Sequence, residues 1–272
     1  MVNPDEYVRI HFDSVERYAP GGLPAVNIGD HLQDGRYEIL NKLGQGGYSN
    51  VWLARDSRNN CKVSIKTITA SDSSNNRELS IMQYLEANSD TQHPGYKHIP
   101  RFLDHFYHDG LNGRSLCLVL ERLGPTVEFV GTNATNWRLD LSLSRQISRQ
   151  LILAVDYLHN RGIVHGGKLY LIKSFPLITL SSKQVLDIQV NNVLFCISDT
   201  LQLESDSFKP IAYKVTKYNG GPIDQGVPTH YVELMRHPQE VCKKLTEVKL
   251  VEFSNGGLLK RSIIYTFGAD TV

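Results

Sequence analysis

Leu43-Gly-Gln-Gly-Gly-Tyr-Ser-Asn-Val-Trp52, with Val63-Ser-Ile-Lys66 following it, is the stretch whose reading decides the fold. Tyr37, Ile39 and Leu40 start a strand before it, and Val51, Trp52 and Leu53 start another after it, so Gly44–Gly47 is a turn between two strands. Glycine allows close backbone approach, and the N–H groups of such a turn can face a bound anion, although the pattern alone also fits a plain hairpin. Val63–Lys66 alternates as a third strand. Polar residues at 71–76 then supply helix caps before Glu78-Leu-Ser-Ile-Met-Gln-Tyr-Leu85, where Leu79, Met82 and Leu85 recur at helical spacing. A lysine ending an apolar strand needs a partner, and Glu78 on the next helix is the natural one. Two further strands, Arg101–Tyr107 and Ser115–Glu121, are joined by a turn at Asp109–Gly113, giving five strands with one helix inserted after the third.

Downstream, Leu143–Gly162 is helical, with Ile147, Leu151, Ala154, Val155 and Leu158 on one face and Gly162 where a C-cap falls. Residues 167–186 contain three lysines, no Asp or Glu, and no helical period. Residues 196–245 read as a polar connection leading to one more strand in Val248–Phe253. The bulk numbers restrict the function classes. A net charge of +1 points to no nucleic-acid or acidic-membrane partner, and 41% hydrophobic residues suffice for a core. The four scattered cysteines (Cys61, Cys117, Cys196, Cys242) form no CxxC pair and fit a reducing cytosol or nucleus. The charged N-terminus lacks a signal-peptide apolar region, and no apolar run reaches the roughly 18 residues that cross a bilayer.

The tract Glu16–Asp56 (ERYAPGGLPAVNIGDHLQDGRYEILNKLGQGGYSNVWLARD) resembles the opening of SR-protein kinases and their fungal relatives, a group of serine/threonine kinases within the protein kinase superfamily. His93–Val127 looks like that group's region from the fourth strand to the hinge, and Arg145–Gly166 like the helix leading into the catalytic loop. The resemblance implies an α+β, two-lobe fold, with a five-stranded antiparallel N-lobe carrying one helix and an incomplete, mainly helical C-lobe. The division it suggests is an extended lead-in (1–35), the N-lobe (36–123) and a partial C-lobe (124–272), with an insertion expected at 167–186 and a spacer at 196–247. It also implies ATP and Mg2+ as cofactors and an Arg-Ser-rich protein substrate. A monomer in cytoplasm or nucleus is expected, without direct nucleic-acid or membrane contact.

By this match Leu43, Gly44, Gln45, Gly46, Gly47 and Val51 would cover the nucleotide, with Lys66 on its phosphates and Glu78 orienting Lys66. Leu120 would be the gatekeeper, and Glu121 to Leu123 would offer backbone groups to adenine. Kinases read H-R-D-x-x-x-x-N in the catalytic loop. Here His165-Gly166 is followed by Gly167, while Asp187–Asn192 fits the missing half. Removing residues 167–186 gives HGDIQVNNVLF, which resembles fungal members. Gly167-Lys168 can be encoded with a GTAAG donor and Leu186-Asp187 with a TAG acceptor. These twenty residues are therefore expected to be translated retained intron, the alternative being a genuine surface insertion. Asp187 would be the catalytic base, and Asn192 and Glu252 would hold magnesium, Glu252-Phe253-Ser254 standing where kinases read D-F-G. Gln189 stands in a usual lysine position, which weakens the case for transfer, and Gly166 replaces the arginine that reads a phosphorylated activation loop. Too few residues follow Ser254 for the usual helices, so a truncated C-lobe is expected. A catalytically dead nucleotide-binding or partner-binding product, and a plain interaction domain, are the alternatives.

Overall fold

The computed structural model describes residues 2–10, 13–134, 139–164, 189–198, 201, 209–253 and 257–258. The fold is α+β, and its sheet is antiparallel throughout. Strands β1 (His31–Leu32), β2 (Tyr37–Gln45), β3 (Ser49–Asp56), β4 (Cys61–Ile68), β5 (Phe102–Gly110) and β6 (Gly113–Glu121) lie in the order β1-β2-β3-β4-β6-β5. The five expected strands are there, and the two-residue β1 adds an edge that its Gly- and Asp-rich surroundings conceal. Because strand side chains alternate between faces, Val63 and Ile65 join one core with Tyr37, Ile39, Trp52, Cys117 and Val119. Ile68, Leu116 and Leu118 form a second cluster on which Leu79 packs. Lys66 shares the parity of Ile68, and this parity turns it toward helix α1 (Arg77–Ala87).

The Asn76 side chain caps α1, accepting from the Leu79 amide at 3.1 Å. The buried face is Glu78, Ile81, Met82 and Leu85, while Leu79, expected on the same face as Met82 and Leu85, is only partly buried. The single carboxylate on this face already marks Glu78 as special, since a lone buried charge is unstable.

After the sheet come α2 (Val127–Thr132) and α3 (Leu141–Asn160), which ends where Gly162, at φ +69°, donates to the His159 carbonyl. Ile147, Ala154, Tyr157 and Leu158 of α3 pack on Phe195, Val248, Leu250 and Phe253. Among the described residues two short antiparallel ladders follow. Strand β7 (Ile163–Val164) pairs with β12 (Gly257–Leu258), and β8 (Val193–Phe195) pairs with β11 (Val248–Leu250).

Residues 209–247 were expected to form part of a polar connection, yet they contain a β9 (Ala212–Lys214) and β10 (His230–Val232) ladder and the short helix α4 (Gln239–Cys242). Val215, Val227 and Tyr231 of this segment pack with Tyr7, Val15, Tyr18 and Leu23 of the lead-in, forming a third core. The two stretches bury apolar residues singly, among Gly and Pro turns. No period of 2 or 3.6 therefore announces them in sequence.

Arg36 fixes the start of the sheet through a two-pronged contact with Asp56 (3.0 and 2.8 Å) and one with Asp104 (2.6 Å). The Arg36 hydrogen bonds hold the Asp56 carboxyl down at about 2, against its burial. A carboxyl lowered by folding contributes stability that is complete above its unfolded value near 3.8 and is lost as pH falls toward about 2. Asp56→Asn is expected to flatten this part of the acid-unfolding curve. Thermal melts between pH 2 and 5 check it, and parallel curves for the two proteins would contradict it.

Candidate nucleotide site

The register of the sheet brings the candidate residues side by side. Gly44 of β2 stands opposite Val51 of β3, and Val51 stands opposite Lys66 of β4. The lysine is thus one strand removed from the glycine-rich hairpin. At its tip the Gly46 amide donates to the Ser49 carbonyl at 2.8 Å, and Gly46, Gly47 and Tyr48 are exposed. A Cβ on Gly47 would meet nothing within 4 Å, so this turn has open space beside it for a ligand. A Cβ on Gly44 would touch Val51 at 3.4 Å, which keeps β2 and β3 close where they leave the turn. Leu43 is half-buried at the hairpin's base, and Gln45 is exposed with its side-chain oxygen 2.5 Å from Lys42 Nζ.

Lys66 Nζ lies 2.6 Å from Glu78 Oε2 and 2.8 Å from Glu252 Oε2. Lys66 and Glu78 are buried, while the Glu252 side chain is about one-third exposed, at 32%. Burial disfavours the ammonium, but the two carboxylates outweigh this and hold Lys66 protonated. Burial also pushes the Glu78 carboxyl above its ordinary value, against the pull of Lys66 and with the help of the Glu252 charge. The Phe253 amide adds a hydrogen bond to Glu78, so α1 is tied both to β4 and to the segment after β11. Glu252 has φ +72°, a left-handed conformation that costs a residue with a Cβ on the order of 1 kcal/mol. That strained turn is what aims its carboxylate at Lys66.

Asn192 closes a 3-10 turn at Val190–Asn192, and its carbonyl accepts from the Val251 amide at 2.9 Å, one residue before Glu252. An amide oxygen and a carboxylate are hard donors of the kind Mg2+ takes, so this pair fits that ion chemically. Gln189 precedes the turn, and its carbonyl accepts from the Asn192 amide at 2.9 Å. His165, Gly166, the stretch 167–186, Asp187 and Ser254 lie outside the described residues.

The hinge carries features that the sequence reading missed. The Glu121 side chain pairs with Lys249 of β11 and accepts from the Arg101 amide at 2.6 Å. The Glu121 amide donates to the Arg101 carbonyl at 3.1 Å, so a backbone donor for a base must come from beyond it. Leu123 is buried, and the neighbouring Gly124 amide is bound to the Phe195 carbonyl at 2.8 Å. The signal for Lys249 was present in Val248-Lys-Leu250, a charge inside an apolar strand, which needs a carboxylate just as Lys66 does.

Comparison with known proteins finds similarity to protein kinases. The protein kinase domain family matches residues 37–166, from the first residue of β2 to the segment after β7. Protein kinase dsk1 of Schizosaccharomyces pombe is 33% identical over 202 residues, covering 72% of this chain and 33% of that protein. Serine/threonine-protein kinase SKY1 of Saccharomyces cerevisiae is 35% identical over 159 residues, covering 56% and 21%. Human SRSF protein kinase 3 is 29% identical over 185 residues, covering 67% and 29%. The matched stretch thus spans between about a fifth and a third of the length of these relatives. Among the described residues no helix is long and apolar enough to cross a membrane.

Proposed function

We propose, on the premise that this chain carries a protein kinase domain of the SR-protein-kinase type, that it binds ATP beside Lys66 as a serine/threonine kinase-like protein of cytoplasm or nucleus. The supporting observation is the buried Lys66–Glu78 pair one strand from a glycine turn with open space beside it. Gly47, with open space beside it, presents its backbone amide to the phosphates, Gly44 and Gly46 let the hairpin pass close to them, and Leu43 and Val51 cover the base. Lys66, kept protonated, binds phosphate oxygens, and Glu78 holds it in place. Beyond Glu121, the Leu123 backbone offers groups to adenine. Asn192 and Glu252 are the side chains that would hold Mg2+, which when bound would supply positive charge against the phosphates. To do so Glu252 must release Lys66, and its one-third exposure leaves it room to turn. Asp187 would take the proton of a substrate Ser or Thr hydroxyl as the γ-phosphoryl group passes to that oxygen.

A second reading, nucleotide binding without transfer, is favoured by two features. Glu252 already has Lys66 as its partner, and twenty residues separate Gly166 from Asp187. Transfer of labelled phosphate from ATP to an Arg-Ser-rich peptide distinguishes the readings. The intact chain is expected to show little or no turnover. Turnover that disappears in Asp187→Ala would overturn that expectation and establish the base.

A further inference from the structure

The lead-in closes on the glycine-rich hairpin from both sides. Asp13 is buried, and its carboxylate collects four donors: Lys42 Nζ (3.0 Å), Arg17 Nη1 (3.0 Å), the Tyr18 hydroxyl (3.2 Å) and the Ser14 amide (2.9 Å). Lys42 is the residue of β2 just before Leu43 and Gly44, so Asp13 grips the strand that enters the turn. Arg17, held by Asp13, grips the tip and the strand that leaves it. Its Nη2 donates to the Gly46 carbonyl at 2.7 Å and to the Asn50 side-chain oxygen at 3.1 Å.

The backbone around Arg17 is itself fixed. The Leu23 amide donates to the Arg17 carbonyl at 2.7 Å. A Cβ on Gly22 would stand 2.4 Å from that same oxygen, so only glycine lets the chain fold back this tightly. Behind it, Val15 and Tyr18 pack on Val215, Val227 and Tyr231, and the Met235 amide donates to the Lys42 carbonyl at 2.7 Å. The segment before the sheet and the segment after Asn192 therefore support one hairpin together. A surface turn rich in glycine is otherwise free to take many conformations, and binding a nucleotide would have to order it.

We propose that Arg17 is a positioning residue for the nucleotide-binding turn, fixing the Gly46 carbonyl and with it the course of Gly44–Gly47 beside Lys66. This rests on the nucleotide reading of the site. A lysine at 17 keeps a charge near Asp13, but one ammonium cannot replace a guanidinium fork that serves Asp13, Gly46 and Asn50 at once.

The test compares the full-length chain with Arg17→Ala and Arg17→Lys, by hydrogen exchange of the segment 44–50 and by ATP titration. Both variants are expected to exchange this segment about tenfold faster and to bind ATP roughly tenfold more weakly, with exchange in β4 and α1 unchanged. If Arg17→Ala loosens the whole protein, Arg17→Lys decides. Unchanged exchange at 44–50 in Arg17→Lys overturns the proposal, and so does faster exchange with ATP affinity unchanged. A wild-type chain that binds no ATP overturns the site reading itself. Wild-type binding that Arg17→Lys leaves intact overturns only the role of Arg17.

Discussion

Replacing Lys66 with methionine is expected to lower the free energy of unfolding by about 3–5 kcal/mol at pH 8, the usual cost of removing one partner of a buried ion pair. Methionine matches the length of the stem but leaves Glu78, only 2% exposed, without the ammonium 2.6 Å away. Glu252 is partly exposed and can turn to water, so the loss falls mainly on Glu78. Burial already raises the Glu78 carboxyl, and without Lys66 it rises further. A raised carboxyl takes up its proton in the folded state before the unfolded one does. The deficit should therefore shrink as pH falls from 8 toward the ordinary carboxylate range. Adding Glu78→Gln to Lys66→Met should restore part of the lost stability, a coupling of roughly 0.5–3 kcal/mol. Urea unfolding of the wild type, Lys66→Met, Glu78→Gln and the double variant at pH 8 and pH 5 measures this. Equal, additive losses at both pH values would mean that the pair does not carry the buried charge as described.

Deleting residues 167–186 is expected to raise phosphoryl transfer to an Arg-Ser-rich peptide by at least about a hundredfold, the scale on which a correctly placed general base acts. The argument is one of reach. A base and the asparagine beside it must face one phosphate, and Asp187 precedes Asn192 by the required four intervening residues. Asn192 is already fixed next to Glu252 through the Val251 amide. What the sequence separates is Asp187 from His165-Gly166, which directly follow β7. Joining Gly166 to Asp187 restores that continuity, and Asp187→Ala in the shortened chain should abolish the gain. A folded deletion variant with no more transfer than the intact chain would contradict this account. Sequencing the transcript across codons 160–195 checks the origin of the segment independently. The shorter message should be present if these residues are retained intron.

Much of this fold was legible because its central elements carry strong periods. In β4 and β6 the alternation of Val63, Ile65, Cys117 and Val119 against Ile68, Leu116 and Leu118 assigns faces directly. From that alternation follows the side on which Lys66 emerges, and Glu78 is the acidic residue in the first turn of the adjoining helix. The third core was not legible. Tyr7, Val15, Val215 and Tyr231 meet across most of the chain length, and isolated apolar residues in turn-rich sequence carry no signal of their partners. Lys42 and Lys249 are a different case. Each sits in an apolar strand and each has found a carboxylate, Asp13 and Glu121. The rule that led from Lys66 to Glu78 applied to both, but their partners lie 29 and 128 residues away, beyond any local pattern. The aim of Glu252 at Lys66 was hidden for another reason. It depends on a left-handed backbone that a residue with a Cβ seldom adopts.

The central claim is that the Lys66–Glu78 pair and the glycine turn form a site for nucleotide phosphates. Calorimetric titration of the full-length chain with ATP, with and without Mg2+, tests it most directly when Lys66→Ala is titrated alongside. The account predicts saturable one-to-one binding that Lys66→Ala weakens at least about tenfold, a change of roughly 1.4 kcal/mol. Absence of saturable binding, or an affinity indifferent to Lys66, would contradict it.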